Sequence, residues 1–134
     1  MRPGETPDGI VDERPVAFKD STEQVWAVLE DFDIEDARLK SKHRGFLDKA
    51  IKILRKNRRR IALFGHTSVT GNNAINDPLS ERRAAAVHDF LILHGLPATQ
   101  ILFHRGTGAL IAQQKHHTGE DAVDRNVTLV LEPG

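Results

Sequence analysis

Four polar side chains in the middle of the chain are the ones best suited to bind a ligand. Thr67, Ser68 and Asn76 lie close together in the sequence, and Arg83 follows them within one predicted helix. Hydroxyl and amide groups supply neutral hydrogen bonds, whereas a guanidinium presents a planar fork that matches a carboxylate or a phosphate. These residue types together predict a site for a small anionic group.

The segments before the site predict a strand that leads into a loop. Residues 61–64 form a short apolar run that ends at Gly65, which is typical of a buried strand. Residues 67–76 are rich in Thr, Ser, Gly and Asn, which is typical of a loop. The neutral donors of the site are therefore predicted to lie just after a strand end.

The segment after the loop predicts a helix that carries the arginine. Asp77 and Pro78 are typical of a helix start, because Asp caps a helix and Pro lacks a donor that the first turn leaves unpaired. The helix is predicted from Asp77 or Ser80 to His94. Arg83 would then project from the first turn, beside the unpaired N–H groups and the positive end of the helix dipole.

A second interpretation of the same residues needs no ligand. Asn76 and Asp77 would merely cap the helix, and Arg83 would pair with Glu81 or with an acid near the N-terminus. The residue types alone do not decide between the two interpretations.

Length and composition set the class of protein. The chain has 134 residues, of which 39% are hydrophobic and 28% charged, as expected for one soluble globular domain. Because there is no cysteine, we expect no disulfide, thiol nucleophile or thiolate metal site. The N-terminus lacks the apolar segment of a secretory signal, and no apolar run approaches the roughly 20 residues that cross a bilayer. We therefore expect a cytoplasmic protein or one exported by a signal-independent secretion system.

The net charge of zero hides an uneven distribution. Residues 1–40 carry a net charge of −6, residues 41–60 of +8 and residues 61–134 of −2. Residues 1–20, rich in Pro, Gly and acids, are predicted to be a mobile acidic leader. The basic helix 41–60 or the leader could contact a protein partner. Nucleic acid is not expected at residues 55–60, because no aromatic residues are interleaved with the arginines.

The remaining patterns complete the predicted order of elements. A first strand is predicted at residues 24–34, a third at residues 100–104 and a last one at residues 125–131. An amphipathic helix is predicted at Ser41–Asn57, because its apolar residues recur every three or four positions. The order is strand, helix, strand, helix, strand, strand, with an excursion that begins at Gly106 and contains His116 and His117.

The histidines and the serine suggest no catalytic or metal centre. The seven histidines are not spaced as a tight metal site such as His-x-x-x-His. His66 is close to Ser68 in the sequence, yet no Gly-x-Ser-x-Gly elbow and no orienting acid accompany the pair. We therefore predict no enzyme activity, no metal and no cofactor.

The pattern around the candidate site resembles the OmpA C-terminal-like domain family, the peptidoglycan-associated family of OmpA, Pal and MotB proteins. The resemblance covers about residues 28–132, and it would make residues 21–134 one such domain. It rests on Gly65-His66-Thr67-Ser68, Gly71, Asn76, Leu79-Ser80-Glu81-Arg82-Arg83-Ala84 and Val87, with Phe32-Asp33-Ile34, Ala37 and Leu39 upstream and Gly106-Thr107-Gly108 and Asp124-Arg125-Asn126-Val127 downstream.

The resemblance implies a fold, a ligand and a location. The fold would be α+β, a βαβαββ sandwich with a mixed sheet of about four strands and the helices on one face. The ligand would be the diaminopimelate of a peptidoglycan stem peptide, bound non-covalently at the periplasm or cell envelope. The residues carried over to this binding site are Thr67, Ser68, Asn76, Leu79 and Arg83.

Three positions depart from the family pattern. The resemblance implies an Asp that binds the ligand's ammonium, but this chain has Ser68 at that position. It also implies an Arg that binds the ligand's carboxylate, and Arg83 matches that position. This chain also has Asp124 where the family carries Asn, and Asn126 where the family carries Arg. A hydroxyl in place of a carboxylate should weaken binding by about 1–2 kcal/mol. Binding could be weakened or altered, Asp77 could replace the acid, or the fold could serve as a docking or structural module.

Overall fold

The secondary structure follows the predicted order of strands and helices. The structure is a computed structural model that describes residues 24–68, 73–109 and 124–132, without the side chains of residues 24, 73 and 74. The predicted leader (1–20) and the stretch that contains His116 and His117 lie outside these residues. The elements are β1 (Gln24–Leu29), α1 (Ser41–Asn57), β2 (Ile61–His66), α2 (Asn73–Leu93), a 3₁₀ turn (Ala98–Gln100), β3 (Ile101–Gly106) and β4 (Asn126–Leu131).

The four strands form one mixed sheet in the order β1-β4-β2-β3. β4 is antiparallel to both β1 and β2, whereas β3 is parallel to β2 because α2 carries the chain back across the sheet. The last strand is therefore the one inserted between β1 and β2. The start of β4 therefore lies beside the ends of both β1 and β2, at one end of the sheet.

The two faces of the sheet are packed differently. The main apolar core joins one face of the sheet to α1 and α2, and it includes Trp26, Leu63 and Leu129. A smaller cluster on strands β1, β2 and β4 contains Val25, Val28, Ala62, Phe64 and Val130. The prediction of an α+β fold with helices on one face is confirmed.

Several predicted strand boundaries were wrong. β1 ends at Leu29 rather than at residue 34, because Asp31 adopts a left-handed conformation with φ of 64° that turns the chain. β3 begins at Ile101 and runs to Gly106, so Gly106 belongs to the sheet and not to the excursion. β4 begins at Asn126, one residue later than predicted. The bounds of α1 agree with the prediction.

The predicted start of α2 was also wrong. The helix begins at Asn73, so Asp77 and Pro78 lie inside it and Asn76 is not a cap. Pro78 was misleading because a proline usually marks a helix start, yet here it lies five residues after the first residue. Within the described residues, neither helix is both long and apolar enough to span a membrane.

Glycines allow α2 to lie very close to the sheet. A Cβ added to Gly65 would overlap the backbone carbonyl of Ser80, and one added to Gly106 would overlap the backbone N of Glu81. The Ser80 hydroxyl accepts a hydrogen bond from the N–H of Gly108 at 2.8 Å. The middle of α2 is thus held against the ends of β2 and β3.

We predict that Gly65→Ala destabilises the fold by about 3 kcal/mol, because its methyl group would meet backbone atoms that can only move with the helix. The measurement is the free energy of unfolding in urea, followed by circular dichroism. Gly45→Ala is the matched control. Nothing lies within 4 Å of a Cβ at Gly45, which is inside α1, so this variant should gain about 0.5–1 kcal/mol. Equal effects of the two substitutions would contradict the close helix contact.

Candidate ligand-binding site

Arg83 lies at the centre of the candidate site. Its side chain is fully buried, with 0% exposure. Nη1 donates to the carbonyl of His66, Nη2 to that of Asp33 and Nε to that of Asp36, each at 2.9 Å. One guanidinium therefore joins α2 to the end of β2 and to the segment between β1 and α1.

This placement differs from the predicted one. Arg83 lies ten residues after the first residue of α2, not in its first turn. The dipole of a helix acts mainly within its terminal turn, so the helix N-terminus contributes little here. The positive charge at the candidate site is therefore that of the guanidinium itself.

Glu81, the partner that the second interpretation offers to Arg83, contacts other groups. The Glu81 carboxylate contacts His104 Nδ1 at 2.5 Å and accepts the backbone N–H of Gly106 at 2.8 Å. Glu81 thus binds to β3. The other predicted partner, an acid of the leader (1–20), lies outside the described residues. The segment before α1 contacts Arg83 through the backbone carbonyls of Asp33 and Asp36. These three carbonyl acceptors are neutral, so they orient the guanidinium without neutralising its charge.

Phe32 connects the arginine to the start of β4. The Arg83 guanidinium lies 5.5 Å from the centroid of the fully buried Phe32 ring. The Phe32 N–H donates to the carbonyl of Arg125 at 3.1 Å, and Arg125 Nε donates back to the carbonyl of Phe32 at 2.5 Å. The end of β1 and the start of β4 are therefore fixed on one side of the site.

The segment that supplies two of the carbonyls is itself anchored to α1. The backbone N–H of Lys40 donates to Nδ1 of His43, so Nε2 carries the hydrogen that is donated to the carbonyl of Glu30 at 2.6 Å. Burial lowers the pKa of His43, which favours this neutral form. A hydrogen bond from Lys42 lowers the pKa of Asp31 and keeps that carboxylate charged. The carbonyls of Asp33 and Asp36, which orient Arg83, thus belong to a loop that is held in place against α1.

The other predicted binding residues are all buried around this arginine. Thr67 and Ser68 directly follow His66, and both are less than 5% exposed. Asn76 and Leu79 precede Arg83 by seven and four residues, which places them on the same side of α2. Both are also buried. The structure therefore brings the five residues to the same end of the sheet and the adjoining face of one helix.

Thr67 has an unusual environment. Its Oγ1 is buried and finds no hydrogen-bond partner in the described part of the chain. Its backbone N–H is paired with the carbonyl of Gly108 at 2.9 Å. Buried hydroxyl groups are nearly always hydrogen-bonded, so an unpaired one needs an explanation. A bound ligand or a water molecule would supply the missing partner.

The histidines have other partners. His66 contacts the hydroxyl of Thr107 at 2.6 Å, and His88 lies 3.0 Å from a carboxylate oxygen of Asp89. Across residues 24–68, 73–109 and 124–132, the structure places no three His, Cys, Asp or Glu side chains where they could share a metal ion. His116 and His117 lie outside those residues.

Sequence reasoning missed the contribution of the backbone. No side-chain pattern identifies the carbonyls of Asp33 and Asp36 as partners of a residue 50 and 47 positions later. The sequence pattern includes Phe32-Asp33 but indicates no role for the backbone of this segment. The left-handed residues Asp31 and Glu35 turn this segment tightly, and that turn is visible only in the structure.

Comparisons with known proteins identify relatives of the chain. The profile of the OmpA family matches residues 31–126. The peptidoglycan-associated lipoprotein of Pseudomonas aeruginosa is 36% identical over 70 residues, which are 52% of this chain and 42% of that protein. The outer membrane protein A of Escherichia fergusonii is 46% identical over 41 residues, which are 31% of this chain and 17% of that protein. The chain thus aligns with less than half the length of either curated relative.

A solved structure shares the fold. The crystal structure of the peptidoglycan-associated lipoprotein from Burkholderia pseudomallei matches with a TM-score of 0.68 at 24% sequence identity. The match covers 78% of this chain and 89% of that one. At this level of identity the similarity establishes the architecture alone.

We predict that Arg83→Lys lowers the free energy of unfolding by about 3 kcal/mol, because one ammonium cannot reach three separated carbonyls and buried acceptors are left unpaired. Urea unfolding measures the change. Its exposed neighbour Arg82 offers the control, since Arg82→Lys should stay within about 0.5 kcal/mol of the wild type. If the two variants are equally stable, the buried guanidinium does not tie these elements together.

Proposed function

The chain belongs to the OmpA family, and on that premise we propose that it binds peptidoglycan non-covalently, through the diaminopimelate of a stem peptide. One relative is named a peptidoglycan-associated lipoprotein and another an outer membrane protein. We therefore place the function of this chain at the cell envelope. We propose a binding module and not an enzyme.

The unpaired hydroxyl of Thr67 is the observation that carries this proposal. The Thr67 hydroxyl has no partner among the described residues and is one residue from a carbonyl that Arg83 binds, so it is suited to a polar ligand. In the complex, Arg83 would receive a carboxylate of the ligand. Ser68 and Asn76 would supply neutral hydrogen bonds, and Leu79 would supply apolar contact. The three carbonyl contacts hold the guanidinium in one orientation before a ligand arrives, which lowers the entropic cost of binding.

The burial of the site has a consequence for binding. Arg83 is 0% exposed, and the other four residues are at most 5% exposed. A ligand can therefore reach the guanidinium only after neighbouring groups have moved. We expect association to be slower than for a preformed open pocket.

Ser68 shapes the strength and selectivity that we propose for this site. A hydroxyl makes an ordinary hydrogen bond where a carboxylate would make a charge-assisted one. The affinity should therefore lie roughly ten- to thirtyfold below that of the same site with an acid at this position. A neutral side chain here also favours plain anions over zwitterionic ligands.

An alternative function is docking to a protein without peptidoglycan binding. A groove of about 650 Å³ runs along α1, lined by Asp48, Ile51, Lys52, Arg55, Lys56 and His94. The exposed cations give it a positive character that fits an acidic partner. The groove lies toward the other end of α2 from Asn76, since His94 immediately follows the last residue of that helix. The two functions can therefore be tested separately.

The test is calorimetric titration of the full chain with a stem tripeptide that ends in diaminopimelate. We expect the wild type to bind and Thr67→Val to bind roughly tenfold more weakly, because the ligand loses a hydrogen bond in a buried site. The same substitution should leave the stability of the free protein equal or higher, since it removes an unpaired buried hydroxyl. The affinity would thus fall without any loss of stability.

Thr128→Val serves as the matched control. The Thr128 hydroxyl donates to Asn126 Oδ1 at 2.9 Å, so its loss should cost about 1 kcal/mol of stability. It should leave the tripeptide affinity unchanged. No heat from the wild type at millimolar tripeptide, together with clear binding by Ser68→Asp, would show that the family function has lapsed and would favour the docking alternative. If Thr67→Val binds as tightly as the wild type, the site is misassigned.

A further inference from the structure

The second half of α1 and the end of α2 form a surface with both exposed cations and an exposed leucine. We infer that this surface binds an anionic lipid bilayer without spanning it. The phosphate groups of the lipids would contact the cations of α1, and Leu93 would enter the hydrocarbon just below them. This goes beyond the proposed function, because it concerns another surface of the chain and another class of ligand.

The charge of this surface is not neutralised by nearby acids. Five exposed cations belong to the second half of α1 or directly follow it: Lys49, Lys52, Arg55, Lys56 and Arg58. In the part of the chain that the structure describes, none of their side chains forms an ion pair or a side-chain hydrogen bond. Other cations of the same region do pair, as Lys42 does with Asp31 and Arg60 with Glu132. The five cations therefore remain available to an external anion.

The end of a helix accounts for only part of this charge. The negative end of the helix dipole favours cations in the last turn, which explains Arg55 and Lys56. Lys49 and Lys52 precede that turn, so the dipole does not explain them. Lys49, Lys52 and Lys56 are spaced three and four residues apart, which places them on one face of α1. This face is suited to a flat anionic surface.

The cations of α1 adjoin the end of α2. The groove of about 650 Å³ is lined by Lys52, Arg55 and Lys56 from α1 and by His94, which directly follows α2. A Cβ added to Gly95 would lie 3.5 Å from Nη1 of Arg55, so this side chain reaches the residue after His94. The cations and the end of α2 therefore belong to one continuous surface.

Leu93 adds an apolar group to this surface. It is 81% exposed, more than any other large apolar side chain in the described residues. It precedes His94, whose ring stacks on that of Phe90 at a centroid distance of 4.0 Å. Residues three and four apart are neighbours on a helix, so Phe90, Leu93 and His94 form an apolar rim beside the groove. Cations next to an exposed leucine match the boundary between lipid headgroups and hydrocarbon.

The groove fits lipid headgroups better than a helical peptide. Such a peptide binds through apolar anchors that enter a hydrophobic groove. Here the apolar lining residue is Ile51, only 4% exposed, and the other lining residues are charged or polar. The accessible apolar group is Leu93, at the rim. A bilayer supplies anions to the groove and hydrocarbon to the rim at the same time, whereas an acidic protein would need only the cations.

The experiment is sedimentation of the full chain with vesicles made of equal amounts of phosphatidylglycerol and phosphatidylcholine. We expect the wild type to bind at about 0.1 M salt and much less at about 0.5 M, because salt screens the cations. Lys52→Gln should lower the partition coefficient about fivefold. Leu93→Ser should lower it about tenfold, because the apolar contact is lost. Both residues are exposed, so the two variants should keep the wild-type stability.

Arg82→Gln and Ile34→Ser are the matched controls. Arg82 is an exposed cation eleven residues before Leu93 on the same helix, and Ile34 is an exposed apolar residue that precedes α1. Both variants should bind the vesicles as the wild type does. A loss in either control equal to that in its partner would mean that the contact is not localised to this surface, which would overturn the inference.

A second readout follows the leucine itself. In Leu93→Trp, the tryptophan emission should move to shorter wavelength when the anionic vesicles are added, because the new ring leaves water. The native Trp26 is only 1% exposed and gives a constant background. An unchanged emission would overturn the inference.

The remaining outcomes are equally decisive. No binding to the vesicles, or equal binding to vesicles of phosphatidylcholine alone, would overturn the inference. Binding that needs Lys52 but is unaffected by Leu93→Ser would also overturn it and would assign the surface to an acidic protein. The tripeptide titration concerns the residues around Arg83, so failure of the proposed function would leave this inference standing.

Discussion

The buried guanidinium of Arg83 is the interaction on which the site depends. It binds carbonyls from the end of β2 and from the segment that connects β1 to α1, which are far apart in the sequence. Three hydrogen bonds from one rigid plane fix the relative position of a strand, a loop and a helix. The same residue is the proposed ligand-binding cation, so structural support and recognition are combined in one side chain.

This arrangement is made possible by the close approach of α2 to the sheet. Gly65 and Gly106 leave room for the backbone around Ser80, which brings Arg83 to the ends of the central strands. His43 completes the support from the other side, because it holds Glu30 and Lys40 on either side of the segment that carries the carbonyls. A binding site on such rigid elements needs little reorganisation of the guanidinium itself, although its burial requires neighbouring groups to move.

Sequence reasoning predicted the fold well and the geometry of the site poorly. The periodicity of α1 and the apolar runs of the strands identified the order of elements, because these patterns are local. The start of α2 was missed because Pro78 has the local signature of a helix start, whereas the helix begins five residues earlier. The carbonyl partners of Arg83 depend on strand order and on long-range packing, which local patterns do not encode.

The most direct test of this account is the NMR signal of the Arg83 Nε–H group in the full chain, assigned by its loss in Arg83→Lys. We predict that this hydrogen exchanges slowly with water in the free protein, because it is buried and bonded to the carbonyl of Asp36, and that its signal shifts when the diaminopimelate tripeptide is added. Exchange as fast as that of the exposed Arg82, or a signal unmoved at saturating tripeptide, would contradict the account.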